Sequence, residues 1–189
     1  ELKEAFSIAG LSKSPAIFDE TKLRWMNAEY IRKLSPEEYI RHAEPYLEAA
    51  GCGHMDKSIF ARILQPRTEV FTDITETVAF LAKMDEDYSV ELYTNKKSKT
   101  NPELCRDILA AVIPELEALP EWTETALHDF LMNYAAEHGM KNGTLLWPVR
   151  IAMSGKTVTP GGAIEIAALL GREEALRRLH HGLDKLNNI

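Results

Sequence analysis

Apolar residues along this 189-residue chain recur three and four positions apart in almost every segment, the spacing that lines one face of an α-helix. Asp19 is an N-cap residue ahead of a helix through Leu23, Met26, Asn27 and Tyr30. Ser35-Pro36-Glu37-Glu38 joins an N-cap, a proline at the first helical position and first-turn acids. That helix carries Tyr39, Ile40, Ala43 and Tyr46 toward Ala50, with Pro45 as a point of kinking, and stops at Gly51. Asp56 begins the next, through Ile59, Phe60 and Ile63, which must end before Pro66 because the residue preceding proline disfavours helix. Thr72 or Asp73 opens a run holding Val78, Phe80 and Leu81.

The pattern weakens from Met84 to Lys99, which reads as an acidic turn, an irregular stretch from Val90 to Tyr93 and a lysine-rich loop. Asn101-Pro102-Glu103 then starts a helix through Leu104, Ile108 and Val112, with an interruption expected at Pro114. Trp122-Thr123-Glu124 opens another, with Leu127, Phe130, Leu131 and Tyr134 on one side and Gly139 at its end. Asn142 to Gly171 reads as a helix, an exposed polar loop and an uncapped helix start. A last helix, Glu173 to Leu186, places Arg177, Arg178, His180 and His181 in a solvated basic C-terminal half. The fold class is all-α, with two packed helical subdomains dividing between Asp85 and Asn101. Glu1 stands where an initiator methionine is expected, and Leu2-Lys3-Glu4-Ala5-Phe6 reads as the middle of a helix, so the chain reads as part of something longer.

Composition adds limits. With 45% hydrophobic and 27% charged residues the chain is ordinary for a soluble protein, and no apolar run approaches the length of a membrane span. Cys52 and Cys105 lie far apart and outside any CxxC pairing, which argues against a disulfide framework and for the cytoplasm. A net charge of −7 opposes nucleic-acid binding as a sum, but the distribution of charge decides that question.

Few residues carry chemistry. Gly155-Lys156-Thr157 imitates the end of a phosphate-binding loop, but the required first glycine is replaced by Arg150 and the preceding segment is helical. Cys52-Gly53-His54 has no second pair at zinc spacing, and the adjacent His180 and His181 point about 100° apart on a helix, so no metal site is expected. His42, His128 and His138 lack partners at a recognisable spacing. Ser12-Lys13-Ser14 lies on a turn with no base nearby, and reads as a turn serine beside a solvated lysine ahead of a phosphate contact. No catalytic residue emerges.

Three turns remain. Arg67 follows Gln65-Pro66 at a helix break, where it serves either as a cap for helix-end carbonyls or as a binding group. Arg150 lies in an apolar helix, and burying a guanidinium costs several kcal/mol unless it is paired, so it meets an acid or faces a cleft. Thr159-Pro160-Gly161-Gly162 is a helix start whose backbone the glycines leave accessible. A cationic fork beside such a start suits a polyanion or a nucleobase edge.

The segments SPAIFDETKLRWMNAEYIR, EWTETALHDFLMNYAAEHGMKNGTLLWPVRIAMSGKTVTPG and EIAALLGREEALRRL resemble the carboxyl-terminal half of a bacterial-type glutamyl-tRNA synthetase, from about Ser12 to Leu183. Ile74 to Asn101 matches only in outline. The resemblance implies a class I enzyme that attaches glutamate to its tRNA with ATP and Mg. Its catalytic domain, with the HIGH-like and KMSKS-like elements, is absent here, so the chain itself carries no active site or cofactor. LSKSP, Leu11 to Pro15, is similar to the segment downstream of the KMSKS-like loop. The implied organisation is the end of a stem-contact region (1–33) and two anticodon-binding helical subdomains (34–98 and 99–189).

The resemblance further implies that Arg67 reads the third anticodon base, and that Arg150 lies at the pocket for the first, with Thr159, Pro160 and the following helix start at Gly161 contacting the same region. Lys13 and Lys156, on polar turns, are the candidates for contact with the tRNA backbone, although a solvated lysine is the leading reading at Lys13. Ala163 stands where some members carry an aromatic, which puts a stacking contact in question, and Asn27-Ala28 replaces the usual Asn-Gly. The expected partner is the tRNA for glutamate, with no membrane and no metal. The rival expectation is an all-helical protein-interaction module on the same scaffold that no longer binds tRNA, favoured by the −7 charge and Ala163.

Overall fold

The capping residues set where the helices begin in the computed structural model, which describes residues 18–188. Asp19 accepts Lys22 N–H at the head of α1 (Glu20–Arg32). Ser35 and Glu38 complete a reciprocal capping box at the start of α2 (Pro36–Ala49), and Asp56 accepts Ser58 and Ile59 N–H at the start of α3 (Lys57–Leu64). Asn101 and Thr123 do the same for α5 (Pro102–Glu117) and α6 (Glu124–Glu137). Between them α4 (Ile74–Ala82) has no side-chain cap; a 3-10 turn, Phe71–Asp73, winds directly into it. The chain ends in α7 (Asn142–Ser154) and α8 (Ala163–Asn187), the latter broken at Gly171, whose φ of 73° is non-helical. Among the described residues the architecture is all-α.

Two expectations need correction. Pro114 does not interrupt its helix, which continues to Glu117. A proline removes one N–H and leaves the carbonyl four residues back unpaired. That carbonyl belongs to Ala110, which is exposed like Pro114 itself, so it is open to solvent and the lost hydrogen bond costs little. The second concerns the supposedly solvated end of the last helix. Arg178 lies there with only 1% of its surface exposed. Its Nε donates to Glu174 at 2.6 Å, Nη1 to the carbonyls of Phe80 (2.8 Å) and Met153 (3.0 Å), and Nη2 to that of Leu81 (2.8 Å). These are unpaired helix-end carbonyls of α4 and α7, so one guanidinium closes two C-termini and pins α8 to both. His180 bonds Glu117 at 2.7 Å and His181 faces the Glu86 carbonyl at 3.2 Å.

Buried apolar residues from Ile31 to Leu186 form one cluster. Within it α7 and α8 pack closely: a Cβ on Gly182 would lie 2.6 Å from Ala152 Cβ and 2.7 Å from the Tyr93 hydroxyl. The segment between α4 and α5 contributes a 3-10 turn, Val90–Tyr93, and buries the Tyr88 and Tyr93 hydroxyls against each other at 2.8 Å.

Glu174 gives the fold an acid-sensitive point. Hydrogen bonds from Arg177 first, and then from Arg178, lower its pKa from the ordinary 4.5 to about 2, against desolvation. A depressed carboxylate pKa stabilises the fold above the unfolded value and loses that contribution as pH falls through the folded one. The stability difference between the native chain and Glu174→Gln is therefore expected to shrink between about pH 5 and pH 2. Urea melts across that window check it, and a constant difference would refute it.

Candidate functional site

The Gly155-Lys156-Thr157 segment is a helix terminus. Gly155 takes the left-handed conformation, φ 62°, that closes α7, and its N–H bonds to the Ile151 carbonyl at 2.8 Å. A side chain there would also press on Tyr88 and the Asp85 carbonyl, at 3.0 and 3.2 Å. The Ser154 hydroxyl donates to the Arg150 carbonyl at 2.7 Å and accepts Lys156 N–H at 3.2 Å. Arg150 sits in this last turn. Its Nη2 donates to the Thr157 carbonyl at 3.0 Å and its guanidinium lies 4.7 Å from the Trp147 ring centre. No carboxylate pairs with it among the described residues; of the two expected environments, it takes the cleft. Desolvation pushes its pKa down from the usual arginine value.

Arg67 reaches the same place from the other half of the chain. Its turn, Gln65–Arg67, is a short 3-10 continuation of α3. Gln65 donates to the Ile31 and Leu34 carbonyls at the end of α1, at 3.1 and 2.8 Å. The buried Thr68 hydroxyl bonds the Leu64 carbonyl at 2.9 Å and meets the Tyr39 hydroxyl at 2.8 Å. Held on both sides, the exposed Arg67 donates through Nη1 to the Pro160 carbonyl. Arg67 does not take the role of helix-end cap weighed from sequence: at the end of α3 Thr68 bonds the Leu64 carbonyl instead.

The result is one cleft of about 420 Å³ in which Arg62, Arg67 and Arg150 face Thr159, Pro160, Gly161 and Gly162. Pro160 and Arg67 also border a wider groove of about 810 Å³, lined by Lys156, the 82% exposed Val158 and the turn from Leu64 to Ile74. Lys156 is exposed and its ammonium lies 5.7 Å from the Phe80 ring centre. Within the wider groove Arg24, Arg67 and Lys156 balance Glu69, Asp73 and Glu76, whereas in the smaller cleft three arginines face Glu165 alone. A chain of net charge −7 thus presents a locally positive cleft.

The helix start is not uncapped as expected. Glu165 accepts Gly162 N–H at 2.9 Å, and the Thr159 hydroxyl donates to the Gly161 carbonyl at 2.6 Å. Glu165 also lies 3.5 Å from Arg62, which pairs with Glu124 as well. Gly161 is buried, with Ile63 3.3 Å from where a Cβ would sit, so it keeps the cleft floor low. Ala163 is buried in the core and offers no surface to the cleft.

Sequence reasoning brought Arg67, Arg150, Thr159, Pro160 and Gly161 forward, and all five gather here. It missed Arg62 and Glu165, whose only signal is helical spacing. Lys13 lies outside the described residues. Among those residues no three His, Cys, Asp or Glu side chains form a metal-binding group, and no helix is long and apolar enough to cross a membrane.

Comparisons with known proteins cover nearly the whole chain. The family described as an anticodon binding domain matches residues 8–183. The chain is 46% identical over 186 residues to a glutamate–tRNA ligase of Clostridium botulinum, and 42% identical over 187 residues to that of Clostridium acetobutylicum. Each alignment covers 98% of this chain and 38% of the relative, so the chain spans well under half the length of the curated relatives it matches. The crystal structure of a glutamate-tRNA synthetase from Elizabethkingia anophelis superposes with a TM-score of 0.72 at 17% identity, over 95% of this chain and 34% of that one. At that identity the superposition speaks for the fold alone.

Proposed function

We propose a function from one premise: the chain belongs to the anticodon binding domain family, which matches nearly its whole length. It reads the anticodon of the tRNA for glutamate, and glutamate attachment with ATP and Mg belongs to a catalytic domain elsewhere in the parent ligase, in the cytoplasm. The observation that carries this reading is the hydrogen bond from Arg67 to the Pro160 carbonyl. It brings a turn at residue 67 and a turn at residue 160 into one arginine-rich cleft. Residues 1–33 would then end the stem-contact region, with 34–98 and 99–189 as the two anticodon-binding subdomains.

Arg67 reads the third base. Single-stranded loop bases are recognised at their Watson–Crick edges. A guanidinium donates to the O2 and N3 acceptors of the cytosine that ends glutamate anticodons. Guanine, which ends glutamine anticodons, presents N1–H and N2–H donors there and opposes it. Arg150, stacked on Trp147 and bonded to Thr157, lies with Thr159, Pro160 and Gly161 at the pocket for the first base. Lys156 contacts the backbone, as does Lys13.

A mismatch at one base costs on the order of 1–3 kcal/mol. Arg67→Gln is expected to reduce the preference for a C-ending over a G-ending anticodon stem-loop by about tenfold, or about 1.4 kcal/mol. Titrations with both stem-loops decide it. An identical preference in the native chain and the variant would sink the assignment.

A further inference from the structure

The lysine-rich loop is unused by this cleft, and it is a built structure. Asn95 and Thr100 exchange both backbone hydrogen bonds at 3.1 Å, closing a one-bridge hairpin around residues 96–99. The Asn95 side chain accepts Ser98 N–H at 2.8 Å, and the buried Thr100 hydroxyl donates to the Tyr93 carbonyl at 2.8 Å. Lys99 holds a φ of 56° at the turn. Lys96, Lys97 and Lys99 are all exposed on this frame. The loop is docked on α7, where Thr144 Oγ1 donates to the Ser98 carbonyl at 2.8 Å, and the exposed Lys141 stands one turn away.

These four ammonium groups contrast with the paired arginines. Arg24, Arg32, Arg62, Arg106 and Arg177 are each held by a carboxylate. Lys96, Lys97, Lys99 and Lys141 have no acidic partner among the described residues, although acids outnumber bases 29 to 22 in the chain. Like charges crowded without counter-charges repel one another and invite a polyanion.

The patch and the cleft also share α7. Thr144 bonds the lysine loop, Trp147 one turn on donates to the Leu92 carbonyl at 3.0 Å, and Arg150 stacks on Trp147. At about 100° per residue Thr144 and Arg150 stand about 120° apart around α7, with Trp147 between them. Thr144 and Arg150 lie six positions apart in α7, about 9 Å along the axis.

We propose that Lys96, Lys97, Lys99 and Lys141 form a binding site for the sugar-phosphate backbone of the RNA whose bases enter the arginine cleft. The inference rests on the anticodon reading and extends it from bases to backbone. Such contacts fix register and supply salt-sensitive affinity, with no base preference of their own.

The test is the 189-residue chain against the glutamate anticodon stem-loop across a salt series. The variant combines Lys96→Ala, Lys97→Ala, Lys99→Asn and Lys141→Ala; asparagine tolerates the left-handed position. Each lost phosphate contact lowers the magnitude of the log K against log salt slope by about 0.7 on single strands, so the variant is expected to lose about 2 to 3. Its preference for a C-ending over a G-ending stem-loop stays at the native value. An unchanged slope, in a variant with native circular dichroism and native stem-loop binding, overturns this site and leaves the anticodon reading standing. Failure of the unmodified chain to bind any stem-loop overturns both.

Discussion

Arg178→Ala is expected to destabilise the fold by about 3–5 kcal/mol, the usual cost of removing one member of a buried charged network. The substitution strands three carbonyls, Phe80, Leu81 and Met153, each of which the guanidinium now satisfies at 3.0 Å or less. Glu174 keeps only Arg177 as a partner. Since marginal domains hold about 5–15 kcal/mol in total, the variant should unfold at low denaturant. Arg178→Lys is the sharper control. It keeps the charge but lacks the planar fork that serves several carbonyls together, so most of the loss should persist. Chemical denaturation checks both, and a lysine variant of native stability would refute the network account.

Gly182→Ala carries the second large effect, and its sign is opposite to what helix propensity predicts. In an exposed helix interior this change gains about 1 kcal/mol. Here the new methyl would stand 2.6 Å from Ala152 Cβ and 2.7 Å from the Tyr93 hydroxyl, which is already held by Tyr88. Overpacking of this kind costs about 1–3 kcal/mol, and two contacts below 3 Å place it at the upper end. The net expectation is a loss of about 2 kcal/mol, partly recovered by pairing it with Ala152→Gly. Separating α7 from α8 also moves Arg150 relative to Gly161, so the variant should bind the anticodon stem-loop more weakly even where it is folded. Denaturation and titration of the single and double variants test the two halves of this claim.

What could be read from sequence divides along a physical line. Helix starts were legible because a cap is a local contact: Asp19, Ser35, Asp56, Asn101 and Thr123 each accept a backbone N–H two or three residues on. Asp73 shows the limit, since a preceding 3-10 turn removed the need for its side chain. Pro114 misled because its effect depends on whether Ala110 faces water, which tertiary packing decides. Arg178 was illegible for the same reason; nothing near it in sequence reveals that two helix ends converge on its side chain. In the cleft, Arg67 and Arg150 could be singled out by turn and burial arguments, but Arg62 gains its meaning from Glu124 and Glu165, acids 62 and 103 residues away.

The bond from Arg67 to the Pro160 carbonyl has a thermodynamic corollary. On the proposed reading, a base that drew Arg67 toward itself would loosen its hold on the turn that shapes the neighbouring pocket, and a base seated against Pro160 would shift the arginine in return. Linkage makes such coupling reciprocal. The first and third letters would then be judged jointly, and the penalty for two wrong bases would differ from the sum of the penalties for each.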